Sequence, residues 1–388
     1  MKENNIKKSK KISIKNLVTV IVFLILIGGF TLCSFLKQDT DFSETENRVL
    51  TEKPEISAEA IFDGTYTSSY QEYVRDQFPF RNVFVALRNY CESFLNKTEI
   101  NEVLICNDDY YIESHKRENY ESELADTNRL ALGTFCDRYK EILGAEHISA
   151  MIVPTAQSVM TNKFKPGMYA YNQEEYLDKI KETVGEDIFI NTKDVLSEYN
   201  EEYIYYRTDH HWTTYGAYIA YREWTQKKGI EAYDMEDIAI REISNDFLGT
   251  INSKLNMSMK KDTIVEYTVK NVTFEIDYNM GLEQKDNFFY EEYLEKKDKY
   301  SYFLGGNPGL VDIMSSNKNG KTLLIIKDSY ANCIAPVYSA NFEKTYIIDL
   351  RFFNMSIDSF IDENEVTDIL VLYNADSFAG DKYVKRIK

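Results

Sequence analysis

Histidine is scarce in this chain, with 4 among 388 residues, set against 30 tyrosines and 22 phenylalanines. Cysteine is scarce too: there are 5, none in a CxxC pair. Nothing here resembles a disulfide framework, and an exported domain of this size can bury a large core without one. No cysteine–histidine cluster has ligand spacing, which argues against a metal site. Positive charge is lacking as well, since the net charge is −18. The first 15 residues carry six lysines and one glutamate, a net +5, so the remainder carries −23. Such a surface repels nucleic acid and excludes sequence-independent phosphate binding. No internal repeat and no low-complexity tract is visible.

What is present begins with Lys2, Lys7, Lys8, Lys10, Lys11 and Lys15, a cationic leader over 1–15. It is followed by an uncharged apolar run, Leu17 to Leu36. Its roughly 20 residues suffice to cross the hydrocarbon of a bilayer. A signal peptide has a shorter apolar region of about 7–15 residues and small residues at its cleavage site. Here Leu32, Phe35 and Leu36 surround the exit, and Leu32 before Cys33 is too bulky for a lipoprotein site. The reading is therefore an uncleaved membrane helix over 16–37. Its lysine-rich end is expected in the cytoplasm, with the remainder outside the cell membrane. Residues 38–60, broken by Pro54, read as an extracytoplasmic stalk, and 61–388 as the outer domain.

In that outer domain, the apolar spacing from Ile61 predicts two helices separated at Phe78-Pro79-Phe80-Arg81. Strands are predicted at Ile148–Val153, Asp187–Ile190, Tyr203–Arg207, Thr322–Ile326, Thr345–Asp349 and Thr367–Tyr373. Helices are predicted at Glu174–Val184, Lys193–Tyr199, from the turn at Asp209–His211 to about Lys228, and at Tyr330–Ala340. Continuous apolar strands alternating with helices imply an α/β fold with a mostly parallel sheet covered on both faces. Residues 242–302 break the rhythm, and alternation over Thr263–Ile276 suggests an antiparallel excursion.

Two of the 4 histidines stand together in Thr208-Asp209-His210-His211-Trp212-Thr213. Asp209 and His211 are one residue apart, so in an extended turn both side chains point the same way. His210 would point oppositely, as packing, and a diverging pair is poorly placed to chelate one ion. Trp212 reads as a structural wedge. Ser329 follows the most apolar outer strand and precedes a helix, at the carboxyl end of the sheet where reactive groups gather. His211 can serve as its base and Asp209 as the group that fixes the imidazole tautomer. A serine before a helix is also a common N-cap, Asp328 is itself a candidate cap, and an Asp-x-His pair is also a common local motif. For the oxyanion, the Ser329 backbone N–H is the first candidate donor, with the Asn307 and Asn332 amides behind it. Lys327 and Arg351 are further candidates to touch substrate.

The block Asp209-His210-His211-Trp212 resembles the signature of the DHHW family, bacterial membrane-anchored proteins related to SGNH-hydrolase-like alginate O-acetylation proteins. The likeness extends to Glu46-Asn47-Arg48-Val49-Leu50 with Pro54, and to Gly64 through Tyr73-Val74-Arg75-Asp76-Gln77-Phe78-Pro79-Phe80-Arg81. Later blocks follow in order: Phe247-Leu248-Gly249-Thr250, Gly305-Gly306-Asn307, Lys327-Asp328-Ser329-Tyr330 and Asp349-Leu350-Arg351. The resemblance implies an SGNH-hydrolase-like three-layer α/β/α domain, with Ser329 as nucleophile, His211 as base and Asp209 as orienter. It also implies acetyl transfer to an exopolysaccharide or cell-envelope glycan alongside a multi-pass membrane acyltransferase; no cofactor is expected, and the sequence does not identify the acetyl donor. Relatives with established chemistry carry glycine where this chain has Lys327. An acetylesterase using the same residues, or a non-catalytic polysaccharide-binding scaffold, are the alternative readings.

Overall fold

A computed structural model of the chain describes residues 13–387, so the basic leader lies outside the described residues except at 13–15. The chain divides into two compact units, at Arg88 and Asn89.

In the first unit, α1 (Ile14–Leu36) is one helix of 23 residues, long and apolar enough to cross a membrane, and none of it is buried within the protein. A short antiparallel pair joins Phe42–Ser43 to Arg48–Val49. Helix α2 (Thr65–Gln77) stops at Phe78, which Pro79 holds extended, and α3 (Arg81–Phe94) starts beyond it. Two helices around this proline are what the apolar spacing predicts; a further short one spans Ala58–Phe62. Arg48 grips the shielded Asp76 carboxylate through two nitrogens, at 2.7 and 2.9 Å. Thr51 adds its N–H and hydroxyl, each at 3.0 Å. The Arg48 guanidinium, outweighing burial, holds the Asp76 carboxyl well below the usual carboxylate range.

In the second unit, α4 (Glu123–Leu143) is capped by Ser122, whose hydroxyl accepts from the Ala125 N–H. It leads to β1 (Ile148–Val153) and then α5 (Glu174–Val184). Helix α6 (Thr214–Lys228) is capped by Thr213, whose hydroxyl accepts from the Gly216 N–H. A twisted ribbon of β2 (Ile238–Phe247) and β3 (Asp262–Val269) encloses the short α7 (Thr250–Leu255). Then follow β4 (Phe274–Tyr278), β5 (Glu283–Lys285), β6 (Leu310–Ser315) and β7 (Thr322–Lys327). The chain continues with α8 (Ala335–Ala340), β8 (Lys344–Ile348), β9 (Asp368–Asn374) and α9 (Ala375–Gly380). The seven-stranded sheet has the order β5-β4-β6-β8-β7-β9-β1. Its contiguous parallel part is β8-β7-β9-β1, and β6, β4 and β5 extend it antiparallel.

Alternation along the parallel strands explains why both faces are apolar. Leu323, Ile325, Leu370, Leu372, Met151 and Val153 enter one core cluster. Leu324, Ile326, Ile369, Val371, Ala150 and Ile152 enter the other. Three expected elements differ. Tyr203–Arg207 is a loop held by a single bridge, Tyr205 to Trp212, because its tyrosines pack into the core while its backbone folds back on itself. Asp187–Ile190 contributes one parallel bridge to Ala150 at the sheet edge. The segment from Ser329 opens as a 3₁₀ turn to Ile334 before α8, whose first turn carries Pro336. The predicted antiparallel excursion resolves into β3 and β4.

Candidate active site

The carboxyl ends of the four parallel strands lie at one edge, where register pairs Ile326 with Ile348, Lys327 with Leu372 and Asn374 with Val153. Ser329 follows β7 directly. The 208–212 loop reaches this edge through buried aromatic donors. The Tyr205 hydroxyl donates to the Pro154 carbonyl at 2.6 Å, and Trp212 Nε1 donates to the Tyr330 carbonyl at 2.8 Å. The Tyr330 hydroxyl returns the contact to the His210 carbonyl at 2.7 Å. From behind, Asp262 accepts from the Arg207 and Thr208 N–H groups and from the Thr208 and Tyr203 hydroxyls.

The result is a continuous hydrogen-bonded chain. Ser329 Oγ lies 2.7 Å from His211 Nε2, and His211 Nδ1 lies 2.5 Å from Asp209 Oδ1. Asp209 also accepts the His211 N–H on Oδ1, and the Thr250 N–H and hydroxyl on Oδ2. Burial works to raise the Asp209 carboxyl, yet the His210 and His211 rings and these donors hold it well below the usual range. An ionised carboxylate can only accept, so Nδ1 of His211 carries the proton and Nε2 faces the serine as acceptor. Burial, reinforced by His210 and opposed by Asp209, pushes the His211 imidazole down to about 4. At neutral pH the pair is thus carboxylate and neutral imidazole, the state required of an orienter and a base.

The oxyanion and substrate candidates form a second network. Lys327 is fully buried, and its ammonium donates to Asn307 Oδ1 at 3.0 Å and lies 3.6 Å from Asp349. Burial pulls it down to about 8 against the pull of Asp349. Arg351 is engaged with Asp349 through Nε and Nη2, at 2.9 and 2.6 Å. Asn332 Nδ2 donates to the Gly306 carbonyl at 2.9 Å and approaches Asn307 Oδ1 at 3.4 Å. Asn307 therefore has its carbonyl oxygen fixed by two donors, while among the described residues its Nδ2 has no protein acceptor. Asp328 caps the turn by accepting from the Tyr330 N–H, and also accepts from both nitrogens of Asn374. Burial raises its carboxyl to about 6. The Ser329 N–H opens a 3₁₀ turn, a position with no acceptor inside the helix.

Two expectations change. The His210 ring does not diverge from His211: their centroids are 3.8 Å apart, and His210 Nδ1 lies 2.8 Å from the Thr250 hydroxyl. The donor atoms of Asp209, His210 and His211 consequently fall within 4.8 Å of one another, closer than divergent histidines would allow. As placed, those atoms are occupied with each other, Thr250 and Ser329. Sequence reasoning also assigned no role to several residues that build the site. Tyr300 stacks on His211 at 3.7 Å and 11°, and its hydroxyl donates to the Ser329 carbonyl at 3.0 Å. It lies in the irregular 242–302 stretch, where no periodicity marks it. Asp262 and Thr250 act from separate elements, and only the Gly249-Thr250 block gave any signal.

The family described as DHHW protein matches residues 133–348. No curated protein matches the chain. Among solved structures, a DHHW family protein from Eubacterium siraeum DSM 15702 is 25% identical, covering 74% of this chain and 95% of its own, with a TM-score of 0.62. Bacillus cereus PatB1 is 20% identical, covering 74% and 98%, with a TM-score of 0.59. PatB1 with a sulfonyl adduct is 19% identical, covering 72% and 99%, at 0.57. These likenesses establish a shared mixed α/β fold.

Proposed function

The chain belongs to the DHHW family, and from that premise we propose that it is a membrane-anchored O-acyltransferase, acetylating a glycan hydroxyl through Ser329, His211 and Asp209. The observation that carries this reading is the hydrogen-bonded chain from Ser329 Oγ to His211 to Asp209. In the first half-reaction Ser329 Oγ attacks the acyl carbonyl of the donor and passes its proton to His211 Nε2. The tetrahedral oxyanion is held by the Ser329 N–H and the Asn307 Nδ2, whose Oδ1 is fixed by Lys327. Collapse breaks the donor's ester bond, and the leaving oxygen takes the proton from His211. In the second half, a sugar hydroxyl gives its proton to His211 and attacks the acyl-serine; the acyl–Oγ bond breaks, His211 returns the proton to Ser329 Oγ, and the acetylated sugar leaves. No cofactor enters these steps. The domain has the SGNH-hydrolase-like layering, with the aspartate and histidine preceding the serine in the chain.

In this proposal α1 is retained as a single-pass anchor, N-terminus in the cytoplasm and the rest extracytoplasmic. A multi-pass membrane acyltransferase supplies the acyl group, and the acceptor is an exopolysaccharide or cell-envelope polymer. Ser329 is partly exposed, so water can also reach an acyl-serine, which favours acetylesterase activity as the second reading. A chromogenic acetate ester, supplied with and without an oligosaccharide, separates the two. Acetylated sugar supports transfer, whereas acetate released at the same rate regardless of acceptor supports hydrolysis. Ser329→Ala is expected to abolish both turnover and labelling by a sulfonyl fluoride. Undiminished turnover in a folded Ser329→Ala protein overturns the serine mechanism, whereas no turnover by the unaltered protein leaves the scaffold reading.

A further inference from the structure

The N-terminal unit exposes several large apolar side chains side by side at one corner. At the corner between α2 and α3, Phe80 is 63% exposed, and on α3 Val83 and Leu87 are 62% and 57% exposed. Tyr70, Val74, Phe78 and Phe84 line an open groove of ≈690 Å³ beside them. Phe80 has a φ of 59°, a left-handed conformation unusual for a bulky residue, and its ring remains outside the unit's core.

What lies next to this corner decides its environment. The Phe30 ring of α1 packs on Phe78 at 5.7 Å and on Phe84 at 5.6 Å, and Phe78 and Phe84 are 6.0 Å apart. Phe30 is six residues before the end of α1 at Leu36, about 9 Å inside the helix end. Lys37, just past α1, donates to the Gln77 carbonyl at 3.1 Å, and the Gln77 side chain bonds both backbone groups of Thr40. The exit of α1 is thus tied to the end of α2 while the Phe78 and Phe84 rings share the depth of Phe30. Apolar side chains sunk about 5–10 Å, with Lys37 at the helix end and the long side chains of Arg75, Arg81 and Arg88 lining the groove, match an interfacial element.

We infer that the α2–α3 corner, Phe78 to Leu87, is seated in the bilayer leaflet from which α1 emerges, its occupant being lipid acyl chains. This rests on the reading of α1 as a retained membrane helix. The corner then acts as a second foot beside the anchor, fixing the tilt and height of the N-terminal unit at the membrane.

The test uses the full chain, singly reconstituted in phosphatidylcholine nanodiscs, with tryptophan introduced at one position at a time. Native Trp212 and Trp224 are 0% and 2% exposed and give a constant background. Phe80→Trp and Leu87→Trp are expected to be strongly quenched by lipids brominated high on the acyl chain and shielded from aqueous iodide. Phe23→Trp reports α1 itself through lipids brominated deeper, and Tyr169→Trp serves as the water-exposed reference. If Phe23→Trp is quenched by lipid while Phe80→Trp and Leu87→Trp answer only to iodide, the seated corner is overturned and the anchor stands. If Phe80→Trp and Leu87→Trp answer to neither quencher, a protein contact covers the corner and the lipid assignment is overturned. If Phe23→Trp escapes lipid quenching, or intact mass shows α1 removed, the anchor reading fails and the inference falls with it.

Discussion

Burial keeps the His211 imidazole neutral down to about pH 4, and this sets the acid limit of any chemistry at Ser329. A protonated Nε2 cannot accept the hydroxyl proton, so kcat/KM for an acetate ester is expected to fall as pH drops through about 4. An acid limb near the ordinary histidine value of about 6.5 would sink this account of the base. On the alkaline side, Lys327 loses its proton near 8, and with it the charge that fixes Asn307, so activity should decline there. Asp209→Asn removes the carboxylate that selects the tautomer. A loss in kcat of about 10³–10⁴-fold is expected, with KM little altered. An unchanged kcat would reduce Asp209 to a structural residue. Each effect belongs to a side chain whose own position the fold has fixed.

At the scale of elements, the turn before α7 matters most. A Cβ on Gly249 would overlap the Asp209 carboxylate and Cβ. Gly249→Ala is therefore expected to displace Asp209 and cost about 10²-fold in kcat, while thermal unfolding of the domain changes little. Full activity in Gly249→Ala would show that the carboxylate tolerates the shift. This contact illustrates what the sequence made legible. The helices at 174–184 and 214–228 and the strands at 148–153, 322–327 and 368–374 follow local periodicity, and their positions are close to those expected. The segment 203–207 has the composition of a strand but forms a loop, because its tyrosines find partners in Pro154 and Asp262 rather than in a neighbouring strand. Tyr300 and Asp262 carried no readable signal, and Thr250 only that of its block. Their roles exist only once β3, α7 and the 3₁₀ turn at 329 have folded against one another.

At the scale of the whole molecule, each of the two units has its own organising interaction. In the N-terminal one it is the bidentate grip of Arg48 on Asp76. Arg48→Ala leaves a shielded carboxylate with two donors gone, and destabilisation of that unit by about 1.5–3 kcal/mol is expected. Hydrogen exchange would register it as lost protection in 40–88 with 148–153 and 322–327 unaffected; uniform exchange throughout the chain would argue against a local role.

Composition and order along the chain determined the apolar N-terminal helix, the α/β class, the buried parallel strands and the short list holding Asp209, His211 and Ser329. Those features depend on residues within a turn or a strand of each other, and local periodicity encodes them directly. Tertiary structure alone decided that His211 meets Ser329 across 118 residues of sequence, that His210 stacks beside His211, and that Lys327 faces Asn307. Contacts of that range are set by packing of both sheet faces and by buried polar groups finding partners. No window of sequence contains both sides of such a contact.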